Sequence, residues 1–172
     1  DYHDVEQWLS EGSVDLGFIA LPTRLKGRIT ALLEDRLLAV VPVDHRLASL
    51  PRFPIKEVEN EPFISLLETS DHDARRALEA AGVKPNIRYT TKDDYAIIAM
   101  VEQGLGVSIM PELLLSGRSD NVRIMELTPP ASRTIGLCLP DADRAGPATA
   151  RFAQCVSDWV RERYSRIQNT TS

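Results

Sequence analysis

The sequence predicts an α/β fold, because apolar runs typical of strands alternate with amphipathic segments typical of helices along its 172 residues. The run over residues 36–41, which is apolar from Leu37 onward, favours a strand that is covered on both faces, as in a parallel sheet. Glycines follow three predicted helices and prolines close three predicted strands, as these residues commonly do: Gly12, Gly82, Gly104, Pro22, Pro42 and Pro111.

In the first half of the chain, elements are assigned from apolar spacing and from the residues that begin and end them. The predicted order is a helix carrying Val5, Trp8 and Leu9 on one face, a strand over residues 14–21, a loop over 23–31, strand-like runs over 32–33 and 36–41, a loop holding His45 and Pro51, a short helix over 54–59 and a strand over 62–66.

The second half continues the alternation. The predicted order is a helix over 70–81, a strand over 86–90, a helix from Thr91 to Gly104, a strand over 107–110, a turn over 113–115, strands over 122–127 and 134–139, and a long helix from Pro147. Ser70 with Asp73, and Thr91 with Asp94, resemble capping boxes. The last helix is expected to bury Phe152, Ala153, Val156, Trp159 and Val160, and the polar tail from Ser165 to fray.

Composition excludes several classes of protein. Hydrophobic residues make up 43% of the chain and charged residues 26%, which is typical of a soluble globular protein. No apolar run approaches the roughly 18 residues of a membrane-spanning helix, and the first residues lack the basic and apolar regions of a secretory signal. The net charge is −5 and the basic residues are scattered, so we do not expect this chain to bind DNA by itself. The chain starts without Met and almost inside a helix, so we expect a fragment.

The two cysteines, Cys138 and Cys155, lie in apolar segments without the CxxC spacing of a metal or redox site. Isolated thiols of this kind favour a reducing, cytosolic setting. Two buried free thiols are the favoured interpretation, and a disulfide between them is the alternative.

The sequence contains no catalytic, metal-binding or cofactor-binding pattern. The three histidines, His3, His45 and His72, lie in different segments, and no Gly-x-Ser-x-Gly nucleophile motif occurs. The Gly104-x-Gly106 pair follows a helix and precedes a strand, which is the reverse of the order in a dinucleotide-binding loop. We therefore predict that the protein is not an enzyme and binds neither a metal nor a cofactor.

Residues 95–111 closely resemble the "VxxGxGxxxxP" signature of effector-binding domains in LysR-type bacterial transcriptional regulators. Further segments are similar to landmarks of the same family in the same order. Residues 11–18 resemble its "GxxDxGF" strand entry, residues 33–47 its "L..e.l.lv.p..HpL" crossover, and residues 62–64 its "pfI" strand. The resemblance covers nearly the whole chain.

This resemblance implies two Rossmann-like subdomains of the type 2 periplasmic-binding-protein fold, joined by two crossover strands near residues 35–41 and 134–139. Subdomain I would comprise residues 1–37 and 138–168, subdomain II residues 38–137, and residues 169–172 a disordered tail. Against the family pattern, we expect this chain to lack the first β-α-β piece of subdomain I, the linker helix and the winged helix-turn-helix.

The function implied by the resemblance is sensing of a small-molecule effector by a cytoplasmic homo-oligomer, such as a dimer, that has no membrane segment. DNA would be contacted only through the missing winged helix-turn-helix domain. A periplasmic-type solute-binding protein shares the fold and is the alternative, and a small α/β enzyme is a third class.

Ligands of doubly wound sheets bind beyond the carboxyl ends of strands, at the N-termini of helices. The resemblance places the same positions along the family's effector cleft. The candidate effector-binding residues are Tyr2, Ala20, Leu21, Pro22, Thr69, Ser70, Asp71, Lys92 and Asp93. Ser70 and Thr91 are alternatively simple helix caps, and Lys92 is alternatively an ordinary surface charge.

Carboxylates crowd the helix starts among these candidates. Asp71 and Asp73 begin one predicted helix, and Asp93 and Asp94 begin the next. Because carboxylates partly neutralise the positive end of a helix, we expect an effector less anionic than the aromatic and dicarboxylic acids common in the family. Lys92 or Arg75 could offset this effect.

Overall fold

The computed structural model describes residues 2–67, 72–115, 121–141 and 145–168, with side chains for all of these except residues 2, 72 and 165–168. The elements are α1 (Tyr2–Glu11), β1 (Gly17–Leu21), β2 (Arg28–Pro42), β3 (Phe53–Pro54), a 3-10 helix (Ile55–Glu59), β4 (Phe63–Leu66), α2 (His72–Ala80), β5 (Ile87–Thr91), α3 (Asp94–Glu102), β6 (Ser108–Pro111), α4 (Glu112–Leu115), β7 (Val122–Leu139) and α5 (Pro147–Gln168). None of the helices in these ranges is both long and apolar enough to cross a membrane.

The chain divides into two compact units. Unit 1 comprises Asp1–Glu34 and Thr134–Ser172, and unit 2 comprises Asp35–Arg133. Two long strands, β2 and β7, cross the boundary between the units, so the chain enters unit 2 along β2 and leaves it along β7. These boundaries lie three or four residues from those assigned to the subdomains from the sequence.

Unit 1 is built around the antiparallel pair of β1 and β7, in which Gly17 lies opposite Cys138 and Leu21 opposite Thr134. The helix α1 packs against this pair through Leu9, whose side chain forms a buried cluster with those of Ile19 and Cys138. The predicted α1 and its closing glycine are confirmed.

The helix α5 is more exposed than its sequence predicts. Phe152 and Trp159 were expected to be buried, but their exposed fractions are 51% and 57%, so this prediction is wrong. Val160 is the only buried residue of the five, and Ala153 and Val156 are half-buried. Trp8 and Phe18, also in unit 1, are close to half exposed. Unit 1 therefore presents large apolar side chains to solvent.

Unit 2 has helices on both faces of its sheet, and the alternation along β2 shows why. Leu37, Ala39 and Val41 belong to a core that includes Ala74 and Leu78 of α2. The residues between them, Leu38 and Val40, belong to a second core with side chains of α3. Because successive side chains of a strand point to opposite faces, an uninterrupted apolar run is what a strand between two helical layers requires.

The strands of unit 2 pair in both directions. β4 and β5 are parallel, β3 and β7 are parallel, and β2 and β6 are antiparallel. Phe63 of β4 also bridges Val107 in parallel, just before β6 begins. The sheet is therefore mixed, although the apolar runs suggested a parallel one.

Positions 104 and 106 require glycine for different structural reasons. Gly104 ends α3 with a φ of 72°, and the amide of Leu105 donates to the carbonyl of Met100 at 3.1 Å, as in a glycine-based helix end. Gly106 has no positive φ. A Cβ there would lie 2.3 Å from the carbonyl oxygen of Pro62, which accepts a hydrogen bond from the amide of Val107 at 2.9 Å. Gly106 is thus required by a close approach of the backbone.

Several sequence-based boundaries are wrong. The predicted loop over 23–31 already contains the start of β2. The runs over 32–33 and 36–41, predicted as separate, belong to one strand of 15 residues, β2. The predicted strands over 122–127 and 134–139 are likewise one strand of 18 residues, β7. β1 begins at Gly17 rather than residue 14, and α5 continues to Gln168 rather than fraying from Ser165. The predicted tail, residues 169–172, lies outside the described residues.

Both cysteines are free, so the alternative of a disulfide is excluded. Cys138 is buried as expected, and this burial raises the pKa of its thiol. Cys155 was also expected to be buried, but it is exposed on α5.

Gly106→Ala is expected to lower the free energy of unfolding by about 3 kcal/mol, because the new methyl group meets backbone that other hydrogen bonds hold in place. Gly104→Ala, where a Cβ meets nothing within 4 Å, is expected to cost only about 1 kcal/mol for the left-handed conformation. Urea denaturation followed by circular dichroism measures both. Equal losses in the two variants would contradict this interpretation of Gly106.

Candidate functional site

Two neighbouring strands of unit 2 end side by side and are each followed by a helix. β4 and β5 are parallel, Leu66 lies opposite Thr91, and the amide of Leu67 donates to the carbonyl of Thr91 at 2.9 Å. The two strands therefore end at the same edge of the sheet, and α2 and α3 are the helices that follow them along the chain. The carboxyl edge of parallel strands, with helix starts beside it, is the usual ligand position in such folds.

The start of α3 is capped by one of the predicted site residues. The carboxylate of Asp93 accepts a hydrogen bond from the amide of Tyr95 at 2.8 Å, and the hydroxyl of Thr91 accepts one from the amide of Asp93 at 3.1 Å. The prediction that Thr91 caps this helix is wrong, because the N-cap is Asp93 and the hydroxyl of Thr91 bonds the amide of Asp93 instead. Lys92 is exposed beside the cap.

The remaining predicted site residues fall in three groups. Thr69, Ser70 and Asp71, which precede α2, lie outside the described residues. Ala20 and Leu21 are half-buried at the end of β1 in unit 1, opposite Ile135 and Thr134, and Pro22 is exposed after them. Tyr2 begins α1 in the same unit, and its side chain is outside the described set.

The first turn of α2 is tied to the crossover strands by one arginine. The Nε and Nη2 atoms of Arg133 each lie 2.8 Å from Oδ2 of Asp35, and Nη1 lies 3.2 Å from Oδ2 of Asp73. Asp73 also accepts from Arg76, one turn along the helix. Arg133 thus bridges two carboxylates that are 38 residues apart in the sequence (73 − 35).

This network is largely withdrawn from water. The side chains of Arg133, Asp35 and Asp73 are 10%, 1% and 8% exposed. The second carboxylate oxygen of Asp35 accepts from the amide of Leu113 at 3.1 Å, in the first turn of α4. Buried charges are tolerated when they are paired and hydrogen-bonded, and these three satisfy both conditions.

The charge of Arg133 also acts at the start of α3. Burial raises the pKa of the Asp94 carboxyl, the negative charge of Asp93 raises it further, and the positive charge of Arg133 lowers it. The starts of α2 and α3 therefore share one buried cation. Within the described ranges, no cluster of His, Cys, Asp and Glu is arranged to hold a metal ion.

Sequence reasoning identified Asp73 and Asp94 as acids at helix starts but missed Asp35 and Arg133. Arg133 follows two prolines in a segment without periodicity, and nothing in the sequence relates it to an aspartate 98 residues away (133 − 35). The available signal was indirect. Both residues lie at the edges of strand-like runs, and a charged residue that becomes buried in a strand needs a partner.

The model of the family described as "LysR substrate binding domain" matches residues 1–161. A similar relative is an uncharacterised helix-turn-helix-type transcriptional regulator, YvbU, of Bacillus subtilis. It is 27% identical over 158 residues, which are 91% of this chain and 54% of that protein. The chain spans about half the length of the curated relatives that it matches.

Solved structures show the same fold. The CcmR regulatory domain of Synechocystis, in complex with 2-PG, superposes with a TM-score of 0.84 at 17% identity, covering 95% of this chain and 81% of that one. The effector binding domain of QuiR, in complex with shikimate, gives a TM-score of 0.81 at 20% identity, covering 93% and 78%.

Arg133→Met is expected to lower the free energy of unfolding by about 3–5 kcal/mol, because it leaves the buried carboxylate of Asp35 without its charge partner. Arg36→Met is the matched control. Arg36 follows Asp35 in β2 and pairs with Glu112 and Glu126. Because its side chain is half exposed, its removal is expected to lower the free energy of unfolding by less than about 1 kcal/mol. Urea denaturation of both variants checks this, and a small loss for Arg133→Met would contradict it.

Asp94→Asn is expected to stabilise the protein at pH 7 but not at pH 3. The pKa of Asp94 is raised in the folded state, so the folded protein binds the proton more tightly than the unfolded chain. Stability contributed by this group is present below the unfolded pKa and is lost as the pH rises through the folded pKa. Unfolding free energies of both proteins across this pH range measure the effect. A gain that is independent of pH would contradict it.

Proposed function

Because this chain belongs to the family of LysR substrate binding domains, we propose that it is the effector-sensing part of a DNA-binding transcriptional regulator. The family match over residues 1–161 is the observation that carries this proposal. The similar relatives are helix-turn-helix-type transcriptional regulators, which favours a regulator over a periplasmic-type solute-binding protein. Binding of 2-PG and shikimate by two proteins of the same fold supports a small-molecule effector.

We infer that one side of the effector site is the carboxyl edge of β4 and β5. The parallel register ends both strands at this edge, Arg133 is bonded to Asp73 in the first turn of α2, and its charge lowers the pKa of Asp94 in the first turn of α3. Thr69, Ser70, Asp71, Lys92 and Asp93 are the proposed contributors from unit 2. Tyr2, Ala20, Leu21 and Pro22 are the proposed contributors from unit 1.

The charges at this edge support an effector that is not strongly anionic. Asp93 already occupies the start of α3 as its cap. Arg133, the buried cation of the site, is bound by Asp35 and Asp73. A ligand dianion would have to compete with these carboxylates or rely on Lys92, which has the cost of ordering an exposed side chain.

The rest of the regulator is proposed to lie in segments outside these residues. The matched regulatory domains are covered only to about four-fifths of their length, and unit 1 exposes Trp8, Phe18, Phe152 and Trp159. A further strand and helix of unit 1, as the family resemblance implies, would cover apolar side chains of this kind. The complete protein is proposed to act in the cytoplasm as a homo-oligomer, to bind DNA through a helix-turn-helix domain and to catalyse no reaction.

Calorimetric titration of the 172-residue chain tests the proposed site. The panel contains shikimate, aromatic and dicarboxylic acids, and the matching neutral amides and alcohols. At least one neutral or singly charged compound is expected to bind more tightly than its dicarboxylate counterpart. Tight dicarboxylate binding would refute the charge argument, and a panel without any binding would count against sensing by this chain.

Lys92→Ala is expected to weaken binding of any acidic member by about tenfold, the loss of one charge-assisted hydrogen bond, and to leave neutral members unchanged. Lys56→Ala removes an exposed lysine on the 3-10 helix of the same unit and is the control. Equal effects of the two variants would place the ligand away from the start of α3.

A further inference from the structure

Asp35 and Arg133 are the first and last residues of unit 2. Their side chains form one buried ion pair, so two N···O contacts of 2.8 Å join the strand that enters the unit to the strand that leaves it. An ion pair at this position restrains both covalent connections at once.

The same guanidinium is also bound to Asp73, in the first turn of α2. That turn follows directly on residues 69–71, part of the proposed effector site. The planar guanidinium has donors at fixed angles, and Arg133 uses one edge for Asp35 and the remaining nitrogen for Asp73. A displacement of the first turn of α2 would therefore move the guanidinium of Arg133, which links β7 to β2 through Asp35.

We propose that Arg133 is a positioning residue that couples the start of α2 to β2 and β7, the strands along which the chain enters and leaves unit 2. This inference rests on the proposed function, because it gives a ligand at the start of α2 a route to the connections between the units. The coupling itself is a property of the ligand-free protein. In energetic terms, a ligand that binds one arrangement of Asp73 and Arg133 more tightly than another shifts the population of arrangements of β2 and β7.

Native-state hydrogen exchange of the unliganded 172-residue chain tests the coupling. Asp73→Asn keeps the shape of the side chain and removes its charge. The amides of residues 34–36 and 132–134 are expected to exchange about tenfold faster or more than the change in global stability accounts for, the size that corresponds to a lost charge-assisted hydrogen bond. The amides of Ser108, Ile109 and Met110 in β6 are expected to follow global stability alone.

Three further variants control the comparison. Arg133→Lys keeps a cation near Asp35 but lacks the fork that reaches Asp73, so it is expected to reproduce the local acceleration, and it serves the same purpose if Asp73→Asn does not fold. Asp73→Glu keeps the charge and is expected to restore much of the protection. Glu112→Gln removes an exposed partner of Arg36, the neighbour of Asp35 on β2, and is expected to change nothing at residues 132–134.

The outcomes separate the two proposals. Acceleration that is confined to residues 34–36 and 132–134 supports the coupling. Uniform acceleration across the chain, or no acceleration at these residues, overturns it and leaves Asp73 as a residue that only stabilises unit 2. A failure of every compound to bind in calorimetry bears on the sensing function and leaves the exchange result unaffected.

Discussion

One buried guanidinium, that of Arg133, holds together three parts of unit 2 that are far apart in the sequence. It pairs with Asp35 where the chain enters the unit, it lies where the chain leaves, and it reaches Asp73 at the start of α2. The net stabilisation from such a network is small, because desolvating three charges offsets most of the attraction between them. Breaking the network costs much more than forming it contributes, since the loss of any one partner leaves a buried charge unpaired. The network therefore specifies one arrangement of strands more than it adds to overall stability.

The position of this network explains why the candidate site has its charge pattern. The starts of α2 and α3 attract anions through their free backbone amides. Here the protein supplies the anions itself, with Asp73 and Asp93 at those starts, and Arg133 is paired with Asp73 and Asp35. A helix start that is already neutralised recognises shape and hydrogen-bonding groups more than charge. This is the physical basis for proposing an effector of low negative charge.

Much of the fold is readable from local patterns. The apolar run of β2 predicts a strand between two layers, and both faces of it are buried by helices. The glycine at position 104 predicts the end of α3, and the family resemblance of residues 95–111 agrees with the match over residues 1–161. Predictions failed where a tertiary contact decides the outcome. Thr91 and Asp93 are both good caps, and only the geometry of the segment between β5 and α3 selects Asp93.

The sequence by itself determined the α/β class, the order of most elements and the family, because these depend on periodicity and on residues adjacent in the chain. Tertiary structure alone decided three further features. It made β2 continuous through Asp35 and β7 continuous through Arg133, because these two buried side chains neutralise each other as an ion pair. It left Phe152 and Trp159 exposed, since a helix buries its apolar face only where another layer covers it. It brought the starts of α2 and α3 to one edge, through the parallel register of β4 and β5, which no local pattern encodes.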